Sequence, residues 1–377
     1  MSGIYIHIPF CKQACHYCDF HFSTSMGKKG AMVAALRKEL RLRKDEFNDE
    51  VVETIYFGGG TPSVLETEEI QSIIDSVYDN YKVAGDPEIT LEANPDDLST
   101  GKIMALAKSP VNRLSIGIQS FFEEDLKLMN RAHNASEAEN CIREATAYFD
   151  NISIDLIYGV PDMDNERWKH NIDKALSFGI PHISSYALTV EPQTALASFI
   201  KKGLVKNVDD EVAQAHFYIL SETLEAAGFE SYEISNFGKP GYFSKNNTAY
   251  WQQKKYLGIG PSAHSYDGVR RGWNINNNPK YLRAIEKGEL PMETETLSVT
   301  DTYNEYVMTG LRTIWGVSLS RIASDFGENY REYALMQAEK HLRDELLHIA
   351  GDTLLTTKKG RFLADGLASD LFMVNLG

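Results

Sequence analysis

Short apolar runs alternate along the first half of the chain with longer segments whose apolar residues recur every three or four positions. Six runs have the length and β-branched composition of strands: residues 4–8, 54–57, 89–92, 113–118, 152–157 and 182–188. Four segments between them have helical periodicity: residues 30–47, 67–81, 136–149 and 166–178. This alternation predicts an α/β fold with a parallel sheet, which right-handed crossovers would curl into an open or closed barrel.

The second half of the chain has a different pattern. An amphipathic helix is predicted at 209–228, a strand at 231–235, and ordered loops covering a site at 238–279, where Gly, Asn and aromatic residues are frequent. A boundary at 291–300 precedes helical patterns at 303–314, 318–326, 331–347 and 360–371 and a strand at 353–356. We therefore predict three parts: a core at 1–240, a site-covering connection at 241–300, and a small α-rich C-terminal domain at 301–377.

Composition and charge narrow the class of protein. The 377 residues are 43% hydrophobic, which provides for a sizeable core and excludes global disorder. The 53 acidic and 38 basic residues give a net charge of −15, which argues against a nucleic-acid partner. The sequence contains no apolar run of the roughly 18 residues that a membrane span needs, and its first residues lead us to expect no secretory signal. The expected location is cytoplasmic, with peripheral contact to a membrane left open.

Three of the four cysteines, Cys11, Cys15 and Cys18, form the pattern CxxxCxxC. Thiolates at this spacing can bind three irons of an iron–sulfur cluster and leave the fourth iron open to another ligand. A zinc site is the alternative and would need a fourth ligand. Three nearby histidines could supply it: His7, His16 and His21. A redox CxxC pair would leave Cys11 unexplained, and the isolated Cys141 is expected to be a buried small hydrophobe.

Polar and glycine residues follow the predicted strands, which is where a barrel of βα units builds its active site. They include three consecutive glycines at 58–60 followed by Thr61, and single residues at later strand ends: Glu92, Asn94, Gln119, Ser120 and Asp155. Consecutive glycines let the backbone approach a ligand closely, although a tight turn explains any one of them. Helix caps and solvated side chains are the alternatives for the others. Together with the cysteines, these positions predict one site on one rim.

The cysteine pattern directly after a first strand, with Tyr17 before the last cysteine, resembles the radical S-adenosylmethionine (radical SAM) superfamily. The resemblance implies a radical-SAM partial (β/α)6 barrel and a [4Fe-4S] cluster on Cys11, Cys15 and Cys18. It also implies that the open iron binds S-adenosylmethionine and that an electron donor reduces the cluster. In such proteins the radical chemistry belongs to the cofactors, and the protein supplies binding and orientation.

A narrower resemblance covers nearly the whole chain. YIHIPFC at 5–11, YFGGGTP at 56–62, Asn130-Arg131 and IDLIYGVP at 154–161 resemble the oxygen-independent coproporphyrinogen III oxidase group. The oxidases carry CxxxCxxCxC, whereas Phe20 stands at the last cysteine position here, as in the heme-chaperone (HemW) branch. The resemblance therefore implies heme binding and delivery to acceptor proteins. The alternative is enzymatic: radical oxidative decarboxylation of coproporphyrinogen III propionates.

The same resemblance assigns cofactor-binding positions along the chain. They are Tyr5, Tyr17, Gly59, Gly60, Thr61, Glu92, Gln119, Arg131, Asp155 and Ala187. The heme-linked family motif HNxxYW occurs here as NNTAYW at 246–251, with Asn246 in place of the histidine. His264 is then the candidate heme ligand, with a structural histidine as the alternative. A HemN-like C-terminal domain and a homodimer are further implications, and a second S-adenosylmethionine stays open.

Overall fold

The computed structural model describes residues 2–47 and 50–374. The strands are β1 (Ser2–Ile8), β2 (Val52–Gly59), β3 (Val83–Ala93), β4 (Arg113–Gln119), β5 (Ile152–Tyr158), β6 (His182–Ala187), β7 (Glu230–Ser231), β8 (Asn236–Gly238), β9 (Lys255–Ile259), β10 (His264–Tyr266), β11 (Arg270–Asn274), β12 (Met292–Thr296), β13 (Val317–Ser318), β14 (Leu347–Ala350) and β15 (Thr353–Thr356). The helices are α1 (Lys29–Leu42), α2 (Thr67–Asn80), α3 (Thr100–Leu106), α4 (Glu123–Leu128), α5 (Ala135–Ala145), α6 (Asn165–Ser177), α7 (Ala195–Lys201), α8 (Asp210–Ala226), α9 (Lys245–Trp251), α10 (Asn278–Lys287), α11 (Val299–Leu311), α12 (Leu319–Phe326), α13 (Glu328–Arg343), α14 (Lys358–Arg361) and α15 (Ala364–Asp370). Within these residues, no helix has both the length and the apolar character that a membrane crossing requires.

Strands β1 to β6 lie side by side in chain order, and each is parallel to its neighbour. Strand β6 pairs with β8 rather than with β1, so the barrel is open. On the opposite side β1 pairs in parallel with β9, and β10 to β12 continue the sheet with antiparallel pairing. The α/β class and the partial barrel with a C-terminal helical region are therefore confirmed.

Alternation along the strands separates an apolar layer from a polar interior. On β1, Ile4, Ile6 and Ile8 are buried among apolar residues of the main core, while the intervening Tyr5 and His7 line a cavity. Successive side chains of a strand point to opposite faces, so one face packs on the helices and the other faces the barrel interior. The barrel therefore presents polar side chains where its strands end.

The six predicted barrel strands all exist, and 113–118 and 152–157 end within one residue of β4 and β5. Helices α3, α4 and α7 were not predicted, because six or seven residues are too few to show a clear helical periodicity of apolar positions. The prediction of loops at 238–279 was wrong, since that segment contains α9, β9, β10 and β11 and the start of α10. Gly258 lies inside β9, where a Cβ would collide with the backbone of His264, so this glycine serves close strand packing.

The predicted strand at 231–235 was also wrong. Two shorter strands, β7 and β8, flank a turn there, and the Glu233 carboxylate accepts a hydrogen bond from the Ser235 backbone at 3.1 Å. This side-chain acceptor stabilises the turn in place of a ladder partner. Strand β12 also lies within the proposed boundary at 291–300.

The C-terminal helices α11, α12 and α13 pack with a three-stranded antiparallel sheet in the order β13-β15-β14. Tyr303, Val307 and Leu354 belong to a hydrophobic cluster separate from the barrel core. The predicted helix at 331–347 instead ends at Arg343, and Leu347 begins β14. The single helix predicted at 360–371 is divided into α14 and α15. The domain limits 1–240, 241–300 and 301–377 stay predictions.

Candidate functional site

The loop that carries the three cysteines follows β1 and is fastened to the connection between β4 and α5. Asn130 donates its side-chain amide to the Ala14 carbonyl at 2.7 Å and accepts from Gln13 Nε2 through its backbone carbonyl at 2.8 Å. His16 Nδ1 lies 2.8 Å from the Leu128 carbonyl oxygen. Asn130 adopts a left-handed conformation with φ of 56°, which an asparagine tolerates better than most residues. The Asn130-Arg131 motif thus positions the cysteine loop.

Two of the three thiols receive hydrogen bonds from residues on neighbouring barrel elements. Thr61 Oγ1 donates to Cys11 Sγ at 3.4 Å, and Arg131 Nη1 donates to Cys15 Sγ at 3.2 Å. Asn94 connects both donors: its Oδ1 accepts from Arg131 Nη2 at 2.7 Å, and its Nδ2 donates to Thr61 Oγ1 at 3.3 Å. The sequence places Asn94 at a strand end but does not predict it as a cofactor-binding residue. The signal available in the sequence was its place two residues after Glu92.

The cysteine side chains have the chemistry of cluster ligands. Burial raises the pKa of the Cys11 thiol to about 11 and also raises that of Cys18, so a bound cation is needed to ionise them near neutral pH. Across residues 2–47 and 50–374, no three His, Cys, Asp or Glu side chains converge on the position of a single ion. Thiolates that each bind a different iron of one cluster need no such convergence. The Nδ1 contact of His16 leaves only its other ring nitrogen for the zinc alternative.

The glycine run permits close contact between the end of β2 and the start of the cysteine loop. Gly59 has φ of +105°, and a Cβ there would lie 2.6 Å from the ring of His7. A Cβ on Gly60 would lie 2.6 Å from the Phe10 carbonyl oxygen, and the next residue, Thr61, donates its backbone N–H to that oxygen at 2.7 Å. The glycines therefore have a structural role beside the predicted approach to a ligand.

A cavity of about 710 Å³ opens at the carboxyl ends of the barrel strands. We call it the cysteine cavity. Most of the sequence-predicted positions line it: Cys11, Cys15, Tyr17, Cys18, Gly59, Gly60, Thr61, Glu92, Gln119, Arg131, Asp155 and Ala187. The C-terminal region contributes Arg312, Phe362 and Asp365 to its wall. The cavity lies within the range of sizes typical of sites for small molecules and cofactors.

Two carboxylates in the cysteine cavity have perturbed acidity. Burial raises the pKa of Glu92 to about 7, although the Tyr56 hydroxyl donates to its Oε1 at 2.8 Å. Burial likewise raises the pKa of Asp155 to about 6, and the charge of the buried Arg113 opposes both shifts. Half-buried carboxylates of this kind can accept hydrogen bonds from the hydroxyl groups of a ligand.

The cavity floor also contains backbone strain. Gln119 ends β4 with φ of 69° and is buried, a conformation uncommon for residues other than glycine. A Cβ on the neighbouring Gly117 would lie 2.8 Å from Gln119 Nε2 and 3.2 Å from Arg131 Nη2. Gly117 therefore leaves room for these two donors to lie side by side on the floor of the cysteine cavity.

A second cavity of about 620 Å³ adjoins the first, and Phe20, Gly59 and Glu92 line both. We call it the aromatic cavity, after the rings that line it: Tyr5, Phe20, Tyr250, Tyr256 and Tyr266. The structure places Tyr5 and His264 in the aromatic cavity, not in the cysteine cavity. Sequence reasoning had selected both without separating them from the other positions.

Asn246 does not line either cavity. It is buried, its Oδ1 accepts from Thr54 Oγ1 at 3.0 Å, and its backbone N–H donates to Glu88 Oε1 at 3.1 Å. Tyr250 of the same motif does line the aromatic cavity, while Trp251 stacks under the guanidinium of Arg312 at 5.0 Å. Within this motif, Asn246 is therefore buried away from the cavities, whereas Tyr250 forms part of the wall of the aromatic cavity.

The chain is similar in sequence to known proteins along nearly its whole length. The family model of the radical SAM superfamily matches residues 5–186. "Heme chaperone HemW" of Mycobacterium tuberculosis is 35% identical over 375 residues, 98% of this chain and 94% of its own length. "Heme chaperone HemW" of Bacillus subtilis is 34% identical and covers 97% of each chain. The chain belongs to the HemW family.

Structural comparison shows a shared fold over both the barrel and the C-terminal region of this HemW-family chain. Coproporphyrinogen III oxidase (HemN) from Escherichia coli, described as a radical SAM enzyme, superposes with a TM-score of 0.82 and 23% identity. The superposition covers 99% of this chain and 90% of the oxidase, and it shows a shared fold. A family model of the HemN C-terminal domain matches residues 297–363, which contain α11 to α14.

Proposed function

We propose that this HemW-family protein is a heme chaperone that carries a [4Fe-4S] cluster and S-adenosylmethionine. The observation that supports it best is the meeting of Cys11, Cys15 and Cys18 with the predicted cofactor positions in one cavity. The relatives named as heme chaperones match nearly the full length of the chain. Heme-accepting proteins and an electron donor are the partners that this function requires.

The cysteine cavity would hold S-adenosylmethionine with residues of strands β2 to β6 and the loops after them. When bound, the cluster supplies the electron for reductive cleavage of the cofactor. Arg131 offers guanidinium donors suited to a carboxylate, and the Gly59–Gly60 backbone leaves space for a ligand on its cavity side. Glu92 and Asp155 would accept hydrogen bonds from ribose hydroxyls.

The second candidate is the oxidase reaction on coproporphyrinogen III, since the chain shares the fold of HemN. Phe20 stands at the position of the oxidases' additional cysteine, and its side chain is 69% exposed at the wall between the two cavities. The absence of a thiol at this position favours the chaperone function over the oxidase.

Anaerobic reconstitution of the full chain tests both functions on one sample. Iron and sulfide are counted, heme is titrated while the Soret band is recorded, and coproporphyrinogen III turnover is measured with a reductant. We expect about four irons per chain, stoichiometric heme binding and no porphyrinogen product. Protoporphyrinogen formation would establish the oxidase, and absence of heme binding would overturn the chaperone proposal.

A further inference from the structure

The aromatic cavity combines three kinds of chemistry in one space. Rings from β1, α9, β9 and β10 provide flat apolar surface, including Tyr5, Tyr250 and Tyr256. Arg271 is one of two cationic side chains that line this cavity, and His264 is one of three histidines. Flat apolar surface with cations and imidazoles suits a planar macrocycle that carries a metal and carboxylate groups. Its volume of about 620 Å³ is in the range of sites that bury ligands of this size.

Of the three histidines that line the aromatic cavity, His264 is the one whose two ring nitrogens both lack a hydrogen bond within residues 2–47 and 50–374. His7 contacts the Tyr5 hydroxyl through Nδ1 at 3.2 Å and the His21 carbonyl through Nε2 at 2.9 Å. His21 contacts Asn278 Oδ1 through Nε2 at 2.7 Å. No hydrogen bond to His264 ring nitrogens is found among residues 2–47 and 50–374, and its ring lies 6.3 Å from that of Trp273. An imidazole whose ring nitrogens make no hydrogen bond can bind a metal through either of them.

Arg271 already binds one carboxylate in this cavity. Its Nη2 lies 2.8 Å from Glu305 Oε1, so an ion pair joins β11 to α11 across the cavity wall. Burial, Asp301 and Glu295 all raise the pKa of Glu305, and Arg271 is the neighbour that favours its charged form. If another carboxylate replaced Glu305 on Arg271, burial and the two neighbouring carboxylates would favour protonation of Glu305.

We propose that the aromatic cavity is the heme site, where His264 binds the iron and Arg271 binds a propionate that displaces Glu305. This proposal rests on the proposed heme-chaperone function and gives it a location. Heme entry would then break the Arg271–Glu305 contact and free α11 from β11. Heme loading is thereby coupled to the C-terminal region.

The test is that substitution of Arg271 and substitution of Glu305 should change heme affinity in opposite directions. Heme and heme dimethyl ester are titrated into the full wild-type chain and into Arg271→Gln, Glu305→Gln and Arg270→Gln. Arg270 makes the matched control because it pairs with Asp267 on the surface and does not line the aromatic cavity. The ester removes both propionate charges and leaves the ring and iron unchanged, so a folding defect would weaken both ligands equally.

We expect Arg271→Gln to weaken heme binding about tenfold, because it removes a charge-assisted hydrogen bond. Glu305→Gln should strengthen heme binding severalfold by removing the competitor, and neither substitution should change affinity for the ester. His264→Ala should shift the Soret maximum, whereas Arg271→Gln should leave its position unchanged.

Weaker heme binding by Glu305→Gln, or equal affinities for Arg271→Gln and Arg270→Gln, would overturn the proposed site. An unchanged Soret maximum in His264→Ala would overturn the assignment of the iron ligand. In either case the heme-chaperone function would stand as long as the wild-type chain binds heme. A wild-type chain without heme binding would instead overturn the function itself.

Discussion

Substitution of Gly60 by alanine should displace the cysteine loop. A Cβ at this position would lie 2.6 Å from the Phe10 carbonyl oxygen and 2.9 Å from both the Ile8 carbonyl oxygen and the Phe10 nitrogen. Ordinary van der Waals contact begins at 3.4 Å, so backbone must move by about 0.8 Å, and no flexible side chain can absorb the change. The Gly60 φ is not in the left-handed region, unlike that of Gly59, so the effect is steric alone.

The displaced atoms lie directly before Cys11, one of the three proposed cluster ligands. Gly60 donates its N–H to the Ile8 carbonyl at 2.9 Å, and Thr61 donates to the Phe10 carbonyl at 2.7 Å, one residue before Cys11. Overpacking of this kind costs about 1–3 kcal/mol of unfolding free energy. A shift of the loop also moves the Cys11 thiol away from Thr61, which donates to it now.

Iron content after anaerobic reconstitution and thermal unfolding of the metal-free chain measure the two consequences. We expect Gly60→Ala to bind less iron and to unfold at a lower temperature. Gly101→Ala is the matched control, because nothing lies within 4 Å of a Cβ at that position of α3 and helical alanine is favoured by up to about 1 kcal/mol. Full iron content and unchanged stability in Gly60→Ala would refute the steric argument.

Three other predictions follow from the same site. Cys18→Ala should lose the cluster, whereas Cys141→Ala, on the buried face of α5, should keep full iron content by chemical analysis. In Asn94→Asp the new carboxylate should accept a hydrogen bond from the Thr61 hydroxyl, which then no longer donates to the Cys11 sulfur. Loss of that hydrogen bond should lower the reduction potential of the cluster by on the order of 59 mV, a tenfold change in the equilibrium constant for one electron. An EPR-monitored redox titration measures the potential, and the control Asn165→Asp, exposed on α6, should leave it unchanged. Burial raises the pKa of Glu92 to about 7 in the folded state, so the folded metal-free chain binds more protons than the unfolded chain between about pH 4.5 and 7. The free energy of unfolding should therefore fall as the pH rises through this window. Denaturant titrations at several pH values should show a smaller fall for Glu92→Gln.

The barrel could be predicted because each of its strands has an apolar face with a regular alternation. The extension formed by β9 to β12 could not, because its glycines are required by the close approach of neighbouring strands. Gly258 packs against the backbone of His264, and a Cβ on Gly272 would lie 2.7 Å from the terminal methyl group of Met292. These glycines indicate loops by composition, yet both lie in strands.

The residues of the site could be predicted from the sequence, but their division between two cavities could not. Strand ends locate Glu92, Gln119 and Asp155 on one rim, and the structure brings them together in the cysteine cavity. Tyr5 alternates with Ile4 and Ile6 along β1, which places it in the interior but does not say on which side of Gly59 its ring lies. The position of the Tyr5 ring depends on β9 and β10, two strands that the sequence did not predict.

The wall between the cavities makes their ligands interdependent. Phe20, Gly59 and Glu92 face both spaces, so a ligand on one side changes the surface offered to the other. The carboxyl group of Glu92 has a pKa of about 7, so it can be neutral or charged near physiological pH according to what lies beside it. If a ligand in the cysteine cavity changes the affinity of the aromatic cavity for its own ligand, thermodynamic linkage requires the reverse effect to have the same factor. In a carrier, such coupling would let the state of the cofactor site control whether the cargo is held or released.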